Sequence, residues 1–182
     1  MRNMLFVALL GLVAALLIGC NGINGKVTLP VNIPDQAYNS QGQAPIDGSV
    51  FQGAPVDVSG TDLWTKYSSH IKSIDQIVLT GTVNNQSNNV AKVTLYVSDN
   101  AGLSASDVSQ MTYLTDFTVA AGTQSVNKTV VLNDTINNII RDGKFSIYGF
   151  GTVTSNGTPQ PVNLTTTNMV ANIGVTVNVS VN

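Results

Sequence analysis

Charged residues, histidine and cysteine are all scarce in this 182-residue chain. Only 10% of the residues are charged, every one of the ten acidic residues is Asp, and there is one histidine and one cysteine. A single cysteine excludes an intramolecular disulfide, and one cysteine with one histidine is too few for a zinc site. Eight basic residues against ten acidic ones leave no excess positive charge for a nucleic acid. We therefore expect no cofactor, no metal centre and no nucleic-acid partner.

Long hydrophobic runs are also missing, with one exception near the N-terminus. Residues 4–19 read "MLFVALLGLVAALLIG", follow the basic Arg2, and are succeeded after Cys20 by the polar stretch "NGINGK". The run is about 16 residues long, whereas a membrane-spanning helix needs ~20. A basic start, a short apolar segment and a small residue at its end are typical of a secretory signal peptide. The sequence therefore predicts a signal peptide at residues 1–19.

The end of this run carries a second, more specific pattern. Leu17, Ile18, Gly19 and Cys20 resemble the lipobox of bacterial prolipoproteins, a leucine-x-small-cysteine motif. The resemblance implies a diacylglyceryl group on the Cys20 sulfur, cleavage between Gly19 and Cys20, and acylation of the new amino group. Two or more acyl chains hold a protein stably on a membrane, whereas one does so only marginally. The alternatives are a secreted protein that is cleaved elsewhere and a buried free cysteine.

The predicted anchor indicates where the protein works. A lipid on Cys20 makes the membrane a partner and places the protein in the bacterial cell envelope. Asn21 follows the cysteine, where an Asp commonly keeps Gram-negative lipoproteins in the inner membrane. The outer membrane is therefore favoured if the source is Gram-negative.

Residues 20–60 differ in composition from the rest of the chain. They are rich in Gly, Asn, Gln and Asp, and four prolines interrupt any continuous strand ladder. These prolines are Pro30, Pro34, Pro45 and Pro55. We interpret this segment as a flexible tether, in which Lys26–Leu29 and Pro55–Val58 could still pair as edge strands. Removal of residues 1–19 would leave 163 residues with seven basic and ten acidic side chains, a net charge of −3.

Residues 61–182 show the period-two alternation of half-buried strands. The stretch "QIVLTGTV", the apolar set Val93, Leu95 and Val97, and the C-terminal run Val175–Val181 all alternate with polar residues. Repeated short strands with few helices predict an antiparallel β-sandwich, with a partly open barrel as the alternative. The segments "LTGTVNN" and "VTLYVSD" resemble bacterial immunoglobulin-like or LEA14-type sandwich domains. That resemblance implies the fold and no particular ligand.

Two short helices are predicted within this domain. One has Leu63, Tyr67 and Ile71 on a single face, and it is expected to close one end of the sandwich. The other is capped by Asn133, presents Ile136, Ile139 and Ile140 on one side, and is stopped by Gly143. These two helices complete the predicted architecture, a sandwich preceded by an anchor segment and a tether.

No pattern of residues indicates catalysis. His70 has Ser68, Ser69 and Asp75 near it in sequence, but a catalytic relay needs a nucleophile that the fold places, and no Gly-x-Ser-x-Gly motif is present. One set of oxygen-bearing residues could hold an adventitious calcium ion, although turn formation explains its aspartates better. This set is Asp99, Asn100 and Asp107.

Two aromatic residues form the one candidate binding patch. Tyr148 and Phe150 share a parity opposite to that of Phe145, so they would point away from the core. Exposed together, they would offer a surface for a glycan or an envelope protein. The alternative is a second apolar face that the helix at residues 136–140 covers.

Anchor, tether and sandwich together predict a non-enzymatic envelope lipoprotein with a structural or partner-binding domain. One alternative is a surface adhesin or filament subunit that assembles by strand addition through Val175–Val181 or Lys26–Ile33. The other is an enzyme accessory whose site the sequence does not reveal.

Overall fold

Alternating apolar side chains build ten strands into two antiparallel sheets. The computed structural model describes residues 23–45 and 48–179, so the predicted signal peptide, the lipobox and Cys20 lie outside the described residues. The strands are β1 (Ile23–Ile33), β2 (Gln36–Asn39), β3 (Val50–Asp57), β4 (Ile71–Asn85), β5 (Ala91–Ser98), β6 (Thr112–Val119), β7 (Gly122–Val130), β8 (Lys144–Ser155), β9 (Thr158–Pro159) and β10 (Asn163–Val179). The helices are α1 (Asp62–Tyr67) and α2 (Asp134–Arg141), with short 3₁₀ turns at Ser68–His70 and Ala105–Gln110.

The two sheets confirm the predicted antiparallel sandwich. Sheet 1 has the order β1-β10-β4-β7, with β2 beside the first part of β10, and sheet 2 has the order β3-β8-β5-β6, with β9 beside β8. From β2 onward, and leaving out the two-residue strand β9, every connection crosses to the other sheet except the one from β5 to β6. This is the strand order of a jelly roll rather than that of the expected immunoglobulin-like sandwich, which pairs more of its consecutive strands. Alternation predicts which side chains face inward, but it does not specify which strands become neighbours.

The predicted tether is wrong for its described part, because β1, β2 and β3 belong to the sandwich. Strand β1 pairs with β10 along its whole length, from Ile23 opposite Val179 to Ile33 opposite Met169. Leu29 and Val31 are buried in the core. Two of the prolines that indicated a tether lie in edge strands, Pro30 in β1 and Pro55 in β3, where a missing N–H is tolerated.

Helix α1 closes one end of the sandwich, as predicted, and its buried Trp64 lies against Gly143, just after α2. Asn133 caps α2 by accepting a hydrogen bond from Ile136 N at 2.9 Å, and Ile136 and Ile140 enter the core. Helix α1 is shorter than predicted, because it ends at Tyr67 and Ile71 begins β4.

Tyr38, on β2 in the segment predicted to be a tether, belongs to the core. Its side chain is buried and lies directly beneath Gly149 of β8. A methyl group at Gly149 would lie 2.9 Å from Tyr38 Cζ and closer still to the hydroxyl oxygen. Gly149, together with Gly151, therefore allows β2 and β8 to approach each other across the core.

We expect the variant Gly149→Ala to lose about 1–3 kcal/mol of unfolding free energy, the usual cost of overpacking a core. Urea denaturation followed by circular dichroism measures it. Gly60→Ala is the matched control, since no neighbour lies within 4 Å of a Cβ added there. Equal denaturation midpoints for the two variants would show that Tyr38 does not occupy the space beneath Gly149.

Candidate binding face

An aromatic strip crosses the outer face of sheet 2. It consists of Phe51 on β3, Tyr148 and Phe150 on β8, Tyr96 on β5 and Tyr113 on β6. The strand register brings these residues together, since Phe51 lies opposite Phe150, and Tyr96 lies opposite both Tyr148 and Tyr113. Side chains on this face alternate with the core residues of the same strands, so the strip points away from sheet 1. The four long strands of sheet 2, β3, β8, β5 and β6, therefore all contribute to one surface.

The rings of the strip contact one another in sequence across the sheet. The Phe51 ring stacks on Tyr148 with centroids 5.7 Å apart, and it lies 5.0 Å from the ring of Phe150. Tyr96 then meets Phe150 at 5.5 Å and Tyr113 at 6.0 Å, both edge to face. These spacings are those of favourable aromatic pairs, each worth about 0.5–1.5 kcal/mol beyond area burial. The strip is thus a preformed surface rather than a set of independent side chains.

Only part of the predicted patch is accessible. Tyr148 is 2% exposed, because Phe51 stacks on its ring and its hydroxyl is taken up by the loop at 100–103. That hydroxyl donates to Asn100 O at 2.7 Å and accepts from Leu103 N at 3.3 Å. Tyr148 therefore supports the strip from below, which corrects its predicted role as a contact residue. Phe150 is half-buried, and Tyr113 is 50% exposed.

The helix at residues 136–140 does not cover this face. Ile136 and Ile140 pack in the core with Phe145 and Ile147, on the opposite side of β8. The alternative prediction, an apolar outer face covered by this helix, is therefore wrong. The loop at 100–103 and Phe51 shield Tyr148, and the rest of the strip stays accessible in part.

Charges beside the strip cancel. Lys92 Nζ lies 2.9 Å from Asp116 Oδ2, on the two strands that also carry Tyr96 and Tyr113. The hydrogen bond from Lys92 holds the pKa of the Asp116 carboxyl below its usual range, and the same bond raises the pKa of Lys92. Desolvation and then the charge of Asp116 raise the pKa of the Tyr113 phenol, and a hydrogen bond between the two side chains raises it further. Because these charges are paired, the face suits an uncharged ligand.

The remaining candidate residues are not brought together by the fold. His70 and Ser69 line a surface hollow of about 350 Å³, while the Asp75 carboxylate accepts hydrogen bonds from Ser73 Oγ and Thr176 Oγ1 instead. Asp107 accepts the backbone N–H and hydroxyl of Ser104 in a capping box. Within the described ranges, no three His, Cys, Asp or Glu residues are grouped as metal ligands, and no helix is long and apolar enough to cross a membrane.

Three strip residues were missed from the sequence for separate reasons. Phe51 lies in the segment interpreted as a tether. Tyr113 has the parity of the core residues Met111 and Val119, but a register irregularity opposite Leu95 and Tyr96 moves Leu114 inward and Tyr113 outward. Tyr96 shows the outward parity in the sequence, and only the strand register places it beside Phe150.

No protein-family model and no curated protein matches the sequence. Among solved structures, one from turnip yellow mosaic virus is similar over 90% of this chain and 85% of its own, at 10% identity and a TM-score of 0.37. A family 11 carbohydrate-binding module from Clostridium thermocellum is similar over 87% and 91%, at 11% identity and a TM-score of 0.31.

A protein from Parabacteroides distasonis that is predicted to be secreted shares 12% identity over 69% of this chain, with a TM-score of 0.40. The present chain spans 38% of the length of that protein. All three likenesses concern the arrangement of strands and carry no information on activity. The class that the fold defines is a jelly-roll β-sandwich.

Proposed function

We propose that this protein is a lipid-anchored lipoprotein of the bacterial cell envelope whose jelly roll binds a neutral glycan through the aromatic strip, without catalysis. The anchor is the lipid on Cys20 that the lipobox Leu17-Ile18-Gly19-Cys20 predicts, and the outer membrane is its favoured location in a Gram-negative source. The observation that carries the binding role is the row of aromatic rings across the four long strands of sheet 2.

Size and charge favour a glycan over a protein partner. One half-exposed and three partly buried aromatic side chains offer less than roughly 400 Å², given ~150–250 Å² per aromatic residue. A stable protein partner needs about 800 Å² on each side. A sugar ring presents a flat face of C–H groups that stacks on an aromatic ring, and the paired charges of Lys92 and Asp116 leave the strip without net charge.

A lipid on Cys20 would hold the domain close to the membrane. Three residue steps separate Cys20 from Ile23, so the lipid-bearing residue lies within about 10 Å of the first residue of β1. Ile23 pairs with Val179, so the start of β1 and the end of β10 form the end of the sandwich nearest the membrane. The domain then stands close to the membrane surface rather than at the end of a long tether.

Strand addition through the C-terminal valine run is not supported. Strand β10 lies between β1 and β4, so the part of this run up to Val179 has no free edge for a second chain. Lys26–Ile33 does lie in an edge strand, but Pro30 interrupts its row of N–H donors, a common protection against pairing. Of the two segments considered for strand addition, only Lys26–Ile33 therefore remains available to an adhesin or filament subunit, and Pro30 interrupts it.

The test is equilibrium binding of the detergent-solubilised full chain to soluble neutral polysaccharides: a β-glucan, a mannan and a xylan. We expect at least one to bind, and Tyr113→Ala to weaken that binding about tenfold, equivalent to ~1.4 kcal/mol of lost stacking. Val131→Ala is the control, because Val131 is 86% exposed and lies outside the strip. Failure of the whole panel to bind, or unchanged affinity in Tyr113→Ala, would overturn the proposal.

A further inference from the structure

A second feature that could bind a ligand lies at the opposite end of β10 from Val179. Here three loops enclose an open cleft of about 490 Å³, formed by residues 39–42, 86–89 and 160–163. Seven of the eleven lining residues are Asn or Gln, and none of the lining residues that the structure describes is charged. Ligand pockets are usually ~300–1,000 Å³ and mostly apolar, so this cleft has a typical size and an unusual chemistry.

The walls of the cleft are held in place by hydrogen bonds. Asn85 is 1% exposed and donates to Asn89 O at 2.8 Å and to Val119 O at 3.0 Å, while its Oδ1 accepts from Ser87 N at 3.0 Å. Gln86 N donates to Asn163 O at 2.9 Å, and Asn163 Nδ2 donates back to Gln86 Oε1 at 2.8 Å. The amide groups therefore project from a fixed frame.

Ser40 fixes the third loop. Val162 N donates to Ser40 Oγ at 2.8 Å, and Ser40 N donates to Val162 O at 3.0 Å. These bonds join the end of β2 to the start of β10 and hold the 39–42 wall against the 160–163 wall. A site whose polar groups are already ordered loses less entropy when a ligand binds.

We propose that this amide-lined cleft binds a segment of a neutral oligosaccharide. A side-chain amide carries donors and an acceptor, which match the neighbouring hydroxyl groups of a sugar. The bond from Asn163 to Gln86 uses one donor of the first and one lone pair of the second, so each keeps hydrogen-bonding capacity for a ligand. A charged ligand would lose hydration without gaining a partner of opposite charge. A peptide would need apolar pockets for its side chains, whereas seven of the eleven lining residues are Asn or Gln.

The position of the cleft connects it to the proposed function. Strand β10 has 17 residues and extends about 55 Å at ~3.3 Å per residue. Its far end, next to the cleft, therefore points away from the membrane if the anchor lies at Cys20. That orientation rests on the proposed anchor, whereas binding in the cleft depends neither on the anchor nor on the aromatic strip.

The experiment is an NMR titration of the ¹⁵N-labelled, detergent-solubilised full chain with linear tetrasaccharides of glucose, mannose, xylose and N-acetylglucosamine. We expect one of them to shift the side-chain NH₂ signals of the cleft, and Gln41→Ala/Asn88→Ala to weaken this binding at least about tenfold. Asn127→Ala, on the exposed outer face of β7, should leave it unchanged. A parallel titration with neutral tetrapeptides separates a sugar ligand from a peptide.

Three results would overturn the inference: no shift in the cleft with any sugar, shifts with the peptides only, or equal affinity in the double variant. The results also distinguish failure of the proposed strip binding from failure of the proposed cleft binding. If Tyr113→Ala leaves polysaccharide affinity unchanged while cleft signals still respond to a tetrasaccharide, the proposed function fails and the cleft inference stands. If no cleft signal shifts while Tyr113→Ala weakens polysaccharide binding, the cleft inference fails and the proposed function stands.

Discussion

Replacing Val31 with aspartate should unfold the sandwich, while the same charge introduced one residue later should leave it folded. Val31 is 2% exposed and belongs to the core cluster, whereas Asn32 points to solvent on the same strand. Burying an unpaired carboxylate costs several kcal/mol, a large part of the ~5–15 kcal/mol that stabilises a typical domain. Circular dichroism during heating measures the effect. We expect loss of the cooperative transition in Val31→Asp and little change in Asn32→Asp.

This pair of variants decides between two accounts of residues 23–57. If the segment were a tether, both substitutions would be harmless, because neither side chain would be buried. Equal melting temperatures for the two variants would therefore contradict the pairing of β1 with β10. Loss of folding in Val31→Asp alone would show that the sandwich includes the proline-containing segment.

Cys20→Ser should release the protein from the membrane. The substitution removes the only thiol in the chain, so it removes the attachment point of the predicted diacylglyceryl group. Each buried CH₂ of an acyl chain contributes ~0.8 kcal/mol to membrane binding, so loss of the lipid should lower the membrane-bound fraction by far more than tenfold. Partition between a detergent phase and an aqueous phase is the measurement.

Ile18→Val is the matched control for the anchor. It keeps a leucine three residues before the cysteine and a glycine directly before it, so processing and lipidation should continue. Ile18→Val should remain in the detergent phase while Cys20→Ser moves to the aqueous phase. If Cys20→Ser stays in the detergent phase, the protein is held by something other than a lipid on that sulfur.

The sequence predicted those parts of the fold that depend on local signals. The alternation after Ile74 predicted the sandwich, and Asn133 followed by spaced isoleucines predicted α2. The segment before Gly60 was misjudged because proline and glycine are read as breaks, although an edge strand tolerates both. Burial of Tyr38 beneath Gly149 was the decisive contact there, and it joins residues 111 positions apart in the chain.

The aromatic strip shows why a binding face is harder to predict than a strand. The parity of Tyr148 and Phe150 correctly indicated the outer face of β8, but parity cannot show that Phe51 would stack on Tyr148. The sequence parity of Tyr113 matches that of the buried Met111 and Val119, but one extra residue in β6 turns its side chain outward. Such a bulge depends on pairing with another strand, which no local pattern records.

The central claim is that the outer aromatic face of sheet 2 binds a neutral glycan. The most direct measurement follows the aromatic ring ¹H–¹³C NMR signals of the detergent-solubilised full chain. The titrant is a neutral polysaccharide from the panel that has been found to bind. The account predicts shifts for the rings of Tyr113 and Phe150 and none for Trp64, which is buried at the helical end of the core. Polysaccharide binding with unchanged Tyr113 and Phe150 signals would contradict it.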